Sequence, residues 1–99
     1  IRAVEPLIGI NKMITNRFGR ELKSEKEIFN LTSGPGKVCK AFGFSKEYSG
    51  LDLTNSDVII INQSKLKNSM IGISKRIGIT KSVTLPWRFF EIGNPYLSR

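Results

Sequence analysis

The stretch from Leu31 to Phe42, LTSGPGKVCKAF, joins a small-residue turn to a lysine and a run with helical spacing. A nucleotide-binding loop of the Walker type requires the pattern G-x-x-x-x-G-K-[ST]. Here Leu31 stands at the first glycine, and Val38 stands where Ser or Thr would bind magnesium, so the stretch is not such a loop. What remains is a helix N-terminus with Lys37 in its first turn. That combination suits one phosphate of a nucleic-acid backbone, and an ordinary capped helix with a solvated lysine is the simpler alternative.

Side chains that commonly perform catalysis are scarce in this sequence. It contains no histidine, and Cys39 is its only cysteine. The usual pairs of nucleophile and base cannot be assembled from these residues, and a cysteine metal cluster is excluded. The eight carboxylates are scattered, and Glu5 and Asp52 have contexts typical of structural residues. If this chain takes part in catalysis, its base therefore lies elsewhere.

The charge of the chain favours a polyanionic partner. Lysine and arginine outnumber aspartate and glutamate by 16 to 8, which gives a formal charge of +8 on 99 residues. Neutralising phosphates with such charges releases counterions from nucleic acid, although a solubilising surface charge is the alternative. No apolar run approaches the roughly 20 residues of a membrane span, so no membrane partner is expected. We predict an intracellular protein, in the bacterial cytoplasm or nucleoid, or in a eukaryotic nucleus.

Three short helices are predicted in the first half of the chain. Apolar spacing predicts the first over residues 9–17, with Gly19 as its C-terminal stop. Ser24 followed by Glu27 fits a capping box and predicts the second. The third is expected to have Ser33 as its N-cap and to end at Gly43.

Strands are predicted mainly in the second half of the chain. Runs of β-branched and aromatic residues indicate them, and Trp87 and Phe89 are expected to fill a core. Helices followed by strands define the α+β class, in one small domain or in part of a larger one. The predicted strands cover residues 1–5, 58–61, 70–73, 76–79 and 87–92.

Five segments, read in order, resemble the C-terminal half of the alkyladenine (3-methyladenine) DNA glycosylase family. They are IRAVEPLIGINKM, LTSGPGKVCKAFGF, SGLDLT, KRIGI and LPWRFFEIGNPYLSR. The resemblance spans essentially the whole chain and is weakest between Ser56 and Ser74. It implies an α+β fold in which short helices precede a curved, mostly antiparallel sheet. Residues 1–99 would then form the C-terminal part of one glycosylase domain, with the N-terminal part missing or on another chain.

The resemblance also implies an activity. Enzymes of this family act in base-excision repair, where they flip a damaged purine out of the duplex and hydrolyse its N-glycosidic bond. Their substrates are alkylated or deaminated purines such as 3-methyladenine, hypoxanthine and ethenoadenine, and they use no metal or cofactor. A glutamate activates the attacking water, aromatic and histidine side chains sandwich the base, and a tyrosine fills the gap in the duplex. All of these lie upstream of the matching segment, so this chain is expected to be inactive without an N-terminal segment of the same protein.

The resemblance assigns two positions of this sequence to the binding of the water that attacks the sugar. Arg2 matches the arginine that helps to hold this water, and Ile77 matches the residue whose backbone carbonyl accepts a hydrogen bond from it. Gly78, next to Ile77, is expected to allow close backbone approach and is counted with the DNA-binding residues.

The SGPGK turn matches a family segment that touches the DNA backbone. The resemblance therefore implies phosphate contacts from Ser33, Gly34, Gly36 and Lys37, and double-stranded DNA carrying a damaged purine as the partner.

Two other functions are compatible with parts of this pattern. A non-catalytic basic nucleic-acid-binding module would bind RNA and DNA comparably and would not depend on a lesion. A structural fragment would keep the fold without activity, even when its other half is supplied. The ordered run of five segments argues against the first of these and leaves the second open.

Overall fold

Two α-helices and a two-stranded sheet are the main regular elements in the part of the chain that the structure describes. A computed structural model describes residues 1–62 and 66–98. Helix α1 covers Ile10–Phe18, helix α2 covers Pro35–Phe42, strand β1 covers Ile71–Ser74 and strand β2 covers Arg88–Glu91. This confirms the α+β class, with short helices followed by an antiparallel sheet. Three short 3-10 helices lie at Glu25–Asn30, Lys46–Tyr48 and Asn68–Met70.

Helix α1 lies one residue further along the chain than the predicted range of 9–17, and its predicted stop at Gly19 is confirmed. Its N-cap is Gly9, and it ends at Gly19, which adopts left-handed backbone angles (φ 63°). The N–H of Gly19 donates to the carbonyl of Thr15 at 3.0 Å. Glycine adopts left-handed backbone angles without the steric cost of a Cβ. The end of this helix therefore depends on one local residue and could be predicted from the sequence.

The core of the described chain lies between α1 and α2. Its buried apolar side chains are Met13, Leu31 and Ala41, with Ile10, Ile14 and Phe18 packed against them. Asn16 also donates its side-chain Nδ2 to the carbonyl of Ala41 at 2.9 Å, which holds α1 against the end of α2.

Arg17 fixes the segment that leads into the SGPGK turn. Its Nε donates to the carbonyl of Leu31 at 2.9 Å, and its Nη2 donates to the carbonyl of Asn30 at 3.1 Å. Two charge-assisted bonds from one planar group define the direction of the chain there. The start of α2 is therefore oriented by α1 as well as by its own capping.

The prediction of a capping box at Ser24 is wrong. The segment is a 3-10 helix whose N-cap, Ser24, makes no side-chain capping bond. The Glu27 carboxylate instead accepts from the backbone N–H of Lys23 at 2.6 Å and from the Arg20 guanidinium at 2.8 and 3.2 Å. The nearby arginine offers the carboxylate a bidentate partner, which a capping box does not.

Helix α2 begins one residue later than predicted. Its N-cap is Gly34, and Ser33 does not cap it. The hydroxyl of Ser33 donates to Asn30 Oδ1 at 3.3 Å and accepts from Lys37. The predicted end at Gly43 is confirmed, since Gly43 is left-handed (φ 72°). Phe42, at the end of the helix, is 43% exposed.

The sheet has one inward face and one exposed face. In its antiparallel register Gly72 lies opposite Phe90, and Ser74 lies opposite Arg88. A Cβ added at Gly72 would overlap the Phe90 ring, so this glycine makes room for the ring across the strands. On the other face Ile73 pairs with Phe89, and both are exposed.

Three predicted strands are absent from the described residues. Residues 1–5 form no strand, and Val4 bonds to Thr32 instead of to a neighbouring strand. Residues 58–61 form no ladder, and Ile61 is 63% exposed, because a β-branched run becomes a buried strand only where a neighbouring strand pairs with it. Residues 76–79 are interrupted by Gly78, whose φ of +67° turns the backbone out of the strand region.

The expected core position of two late aromatic residues is also wrong in the described chain. Trp87 is 61% exposed and Phe89 is 65% exposed.

None of the helices in residues 1–62 and 66–98 is long and apolar enough to cross a membrane.

The Arg20–Glu27 pair gives a pH-dependent prediction. The Arg20 guanidinium first, and the Lys23 N–H second, lower the pKa of Glu27 from 4.5 to about 2. Because the folded pKa is lowered, the pair's stabilisation is complete above the ordinary pKa of Glu27 and is lost as the pH falls through about 2. We expect a ¹³C carboxyl NMR titration of Glu27 to show a midpoint near 2, and Arg20→Ala to move it upward. Lys26→Ala, which removes a neighbouring charge, should leave the midpoint unchanged; a midpoint insensitive to Arg20→Ala would contradict the assignment.

Candidate nucleic-acid interface

Arg2 is positioned by a short irregular segment rather than by a strand. The N–H of Val4 donates to the carbonyl of Thr32 at 3.3 Å, and the Thr32 hydroxyl donates back to the carbonyl of Val4 at 2.6 Å. Thr32 is fully buried, so this pairing anchors the segment beside the core. From there the half-buried Arg2 side chain donates its Nε to the hydroxyl of Ser98 at 3.0 Å.

The end of the Arg2 side chain lies against the bare backbone of Gly78. A Cβ added at Gly78 would overlap Nη2 of Arg2 and lie 3.3 Å from its Cζ. Gly78 also has a φ of +67°, which side-chain-bearing residues adopt rarely. Two independent constraints therefore favour glycine at this position, and the fold brings Arg2 and Gly78 into contact.

A cleft of about 460 Å³ contains both Arg2 and Ile77. Three guanidinium groups and two large aromatic side chains line it, and no carboxylate does. Guanidinium groups contact phosphates, and aromatic rings stack on bases. The residues that line this cleft are therefore of the types found on protein surfaces that bind nucleic acids. We call it the arginine cleft; its lining residues are Ile1, Arg2, Pro35, Arg76, Ile77, Ile79, Trp87, Arg88 and Phe89.

Arg88 joins the cleft to the sheet. Its Nη1 donates to the hydroxyl of Ser74 at 3.1 Å, and its Nη2 donates to the carbonyl of Ser98 at 2.8 Å. Its Cζ also lies 4.5 Å from the centroid of the Phe90 ring, a cation–π arrangement. Sequence reasoning missed Arg88 and Ser98. The only signal in the sequence was the position of Arg88 on the inward face of an aromatic strand. A buried charge there would be costly without a partner, so a hydrogen-bond acceptor could have been expected nearby.

A second groove, of about 480 Å³, lies beside the SGPGK turn. Lys37 donates its Nζ to Asn30 Oδ1 and to the hydroxyl of Ser33, the latter at 3.2 Å. Both acceptors are neutral, so they orient the ammonium without cancelling its charge. We call this the Lys37 groove; its lining residues are Lys26, Phe29, Asn30, Ser33, Lys37, Pro95 and Leu97.

The two glycines of the turn are not explained by packing inside the chain. A Cβ at Gly36 would meet nothing within 4 Å, and one at Gly34 would come no closer than 3.8 Å to the Lys37 side chain. Gly34 has a φ of −170°, which is ordinary extended backbone. The backbone of the turn is therefore open to approach from outside. Pro35, between the two glycines, lines the arginine cleft, so the turn connects both concave surfaces.

The structure thus places the predicted site residues in two groups. Arg2, Ile77 and Gly78 lie together at the arginine cleft. Ser33 and Lys37 lie together in the Lys37 groove. The remaining two predicted residues, Gly34 and Gly36, belong to the turn that links the two surfaces.

Asp52 and Glu5 contribute no catalytic group that the structure brings to either concave surface named above. Asp52 accepts from the hydroxyl of Thr54 and from its backbone N–H at 2.9 Å, and these two bonds, the hydroxyl's first, lower the pKa of Asp52. Glu5 is exposed. In residues 1–62 and 66–98, no group of three or more Cys, Asp or Glu side chains could hold a metal ion.

Comparison with known proteins identifies the family. The family model described as "Methylpurine-DNA glycosylase (MPG)" matches residues 1–95. Three similar relatives all carry the name "Putative 3-methyladenine DNA glycosylase". The protein from Alkaliphilus oremlandii is 40% identical over 104 residues, and that from Nitrosospira multiformis is 40% identical over 99. The protein from Chlorobaculum parvum is 37% identical over 98 residues.

The matches cover nearly all of this chain but only part of each relative. They include 100%, 100% and 99% of the chain, against 51%, 47% and 44% of the three relatives. The chain thus spans about half the length of the curated relatives it matches. With a family model covering residues 1–95, the chain belongs to the methylpurine-DNA glycosylase family.

Proposed function

We propose that this chain is the part of a purine DNA glycosylase that positions the attacking water and contacts the DNA backbone. The observation that carries the proposal is the arginine cleft. It brings together Arg2 and Ile77, which are 75 positions apart in the sequence and are the two positions that the family resemblance assigns to the water. Gly78 completes the arrangement, because its bare backbone admits the Arg2 guanidinium.

The proposed reaction is hydrolysis of the N-glycosidic bond of a flipped purine. The water oxygen forms a bond to C1′ of the sugar, the C1′–N bond breaks, and its electron pair leaves with the base. The water's proton passes to a glutamate, which the family resemblance places outside this chain. Arg2 donates to the water from its terminal Nη nitrogens, because its Nε is bonded to Ser98. The carbonyl of Ile77 accepts a hydrogen bond from the water's other hydrogen, which stays on the oxygen that bonds to C1′.

The substrates we propose are alkylated or deaminated purines in double-stranded DNA, acted on without metal or cofactor. The chain alone is not expected to catalyse this reaction, because the glutamate and the base pocket would come from an N-terminal segment of the same protein. Large apolar side chains left exposed at one face of the sheet and in the preceding loop support such a partner. They are Ile59, Ile60, Ile61, Ile73, Trp87 and Phe89.

The proposed DNA-backbone contacts centre on the SGPGK turn. Gly34 and Gly36 leave the backbone open, and the Lys37 ammonium is oriented by neutral acceptors at the same place. A phosphate bound there would interact with both the N–H groups at the start of α2 and the lysine charge.

An excision assay tests the proposed activity. We call the part of the Alkaliphilus oremlandii relative that this chain does not match the complementing segment. A duplex with one hypoxanthine or 1,N6-ethenoadenine is incubated with the chain alone and with the chain plus the complementing segment. We expect lesion-dependent abasic sites only from the pair, and Arg2→Ala should slow their formation at least about tenfold, because it removes the group that orients the water.

Arg20→Ala is the matched control, since it removes an exposed guanidinium outside the arginine cleft. Its excision rate should equal that of the unmodified pair. Duplex binding without excision by the pair would indicate a non-catalytic basic nucleic-acid-binding module instead.

Gly78→Ala should slow excision by displacing the Arg2 guanidinium. The new Cβ would overlap Nη2 of Arg2, and the positive φ adds about 1–2 kcal/mol of backbone strain. Gly19→Ala is the control, because Gly19 has a similar φ of +63° and nothing lies within 4 Å of an added Cβ. Single-turnover excision rates should fall for Gly78→Ala well below those for Gly19→Ala. Equal rates for the two variants would show that strain alone, rather than the contact with Arg2, matters.

Lys37→Ala should weaken duplex binding to a similar degree for all sequences. The logarithm of the binding constant falls linearly with the logarithm of the salt concentration, and removing one phosphate contact makes this slope less steep by about 1. Fluorescence anisotropy at several salt concentrations measures this slope. Lys12→Ala, at an exposed position on α1, should leave the slope unchanged, and a slope unaffected by Lys37→Ala would remove this residue from the interface.

A further inference from the structure

Ser98 is the point at which two guanidinium groups converge. Its side chain and backbone are only 6% exposed. The hydroxyl accepts from Nε of Arg2 at 3.0 Å, and the carbonyl accepts from Nη2 of Arg88 at 2.8 Å. We propose that Ser98 is a positioning residue that sets the orientation of the Arg2 guanidinium for the attacking water. This inference rests on the function proposed above.

Arg2 requires such a partner because its side chain is long and has many rotamers. The guanidinium is planar, so a single bond to Nε restricts both its position and the direction of its Nη nitrogens. Gly78 restricts it from the other side, since Nη2 lies where a Cβ would stand. One acceptor and one bare backbone surface thus hold the group that is proposed to meet the water.

Ser98 is itself held by the sheet. Arg88, on β2, bonds the carbonyl of Ser98 and the hydroxyl of Ser74, which lies opposite it on β1. The Phe90 ring lies under the Arg88 guanidinium and over Gly72. The backbone of Ser98, which carries the hydroxyl, is therefore linked through Arg88 to both strands.

The essential property of Ser98 is an oxygen that can accept a hydrogen bond from Nε of Arg2. Alanine at this position removes the acceptor while leaving the backbone carbonyl for Arg88. Nε would then be partly buried without this partner, and the guanidinium would rotate toward another acceptor or toward solvent. Threonine keeps the hydroxyl and is the conservative replacement.

The first test measures single-turnover excision by the chain with the complementing segment. Ser98→Ala should lower the rate about tenfold or more, since small misplacements of a catalytic group have effects of this size. Ser98→Thr should restore most of the rate, and the Kd for undamaged duplex should stay unchanged in both. Ser24→Ala, an exposed serine whose side chain makes no capping bond, is the control and should match the unmodified pair.

A double-mutant cycle separates positioning from general stability. If Ser98 acts through Arg2, then Ser98→Ala should have no further effect on the excision rate in an Arg2→Ala background. An equal loss in both backgrounds would overturn the proposal, because it would show that Ser98 acts independently of Arg2.

An NMR measurement tests the positioning without relying on activity. The Nε–H resonance of Arg2 should be protected from exchange in the unmodified pair and in Ser98→Thr, and should lose this protection in Ser98→Ala. If the Arg2 Nε–H in Ser98→Ala kept the same chemical shift and the same protection from exchange as in the unmodified pair, the proposal would be overturned. If the unmodified pair excises nothing, the proposed function fails, while this comparison still decides whether Ser98 orients Arg2.

Discussion

Bonds from arginine side chains to backbone carbonyls and serine hydroxyls hold together the segments that carry the candidate site. The buried apolar core of the described chain is small, with Met13, Leu31 and Ala41 at its centre. Such a core fixes α1 against α2 but does not reach the sheet. Arg17 extends its influence to the SGPGK turn, and Arg88 joins the two strands to Ser98. The relative positions of turn, sheet and Arg2 therefore depend on guanidinium groups more than on apolar packing.

This dependence follows from the donor geometry of arginine. A guanidinium offers five N–H donors in a rigid plane, so a single side chain can bond two separate segments at once. Arg88 uses this property to bond Ser74 and Ser98 together. Each bond is worth more than a neutral hydrogen bond, about 1.5–3 kcal/mol where a charged group is involved, with smaller values at exposed sites. The same residue type thus supplies both the internal connections and positive charge for the proposed DNA contacts.

The sequence allowed prediction of features that depend on a few neighbouring residues. The ends of the helices at Gly19 and Gly43 are examples, because a left-handed glycine terminates a helix locally. Strands depend on partners far away in the sequence, and the β-branched run at 58–61 forms no ladder in the described chain. Arg2 and Ile77 were grouped by resemblance to a family and not by spacing. The Arg2–Ser98 bond, across 96 positions, had no local signal at all.

The arrangement of the two concave surfaces relates DNA binding to the chemistry proposed here. Pro35 lines the arginine cleft while Ser33 and Lys37, on either side of it, line the Lys37 groove. A phosphate bound at the groove would therefore lie only a few residues of chain from the cleft that contains Arg2. Arg17, on α1, bonds the carbonyls just before this turn and so orients the segment that joins the two surfaces. The backbone contact would then determine which nucleotide can reach the Arg2 guanidinium, and the rigidity of the turn would become a requirement for the reaction rather than only for binding.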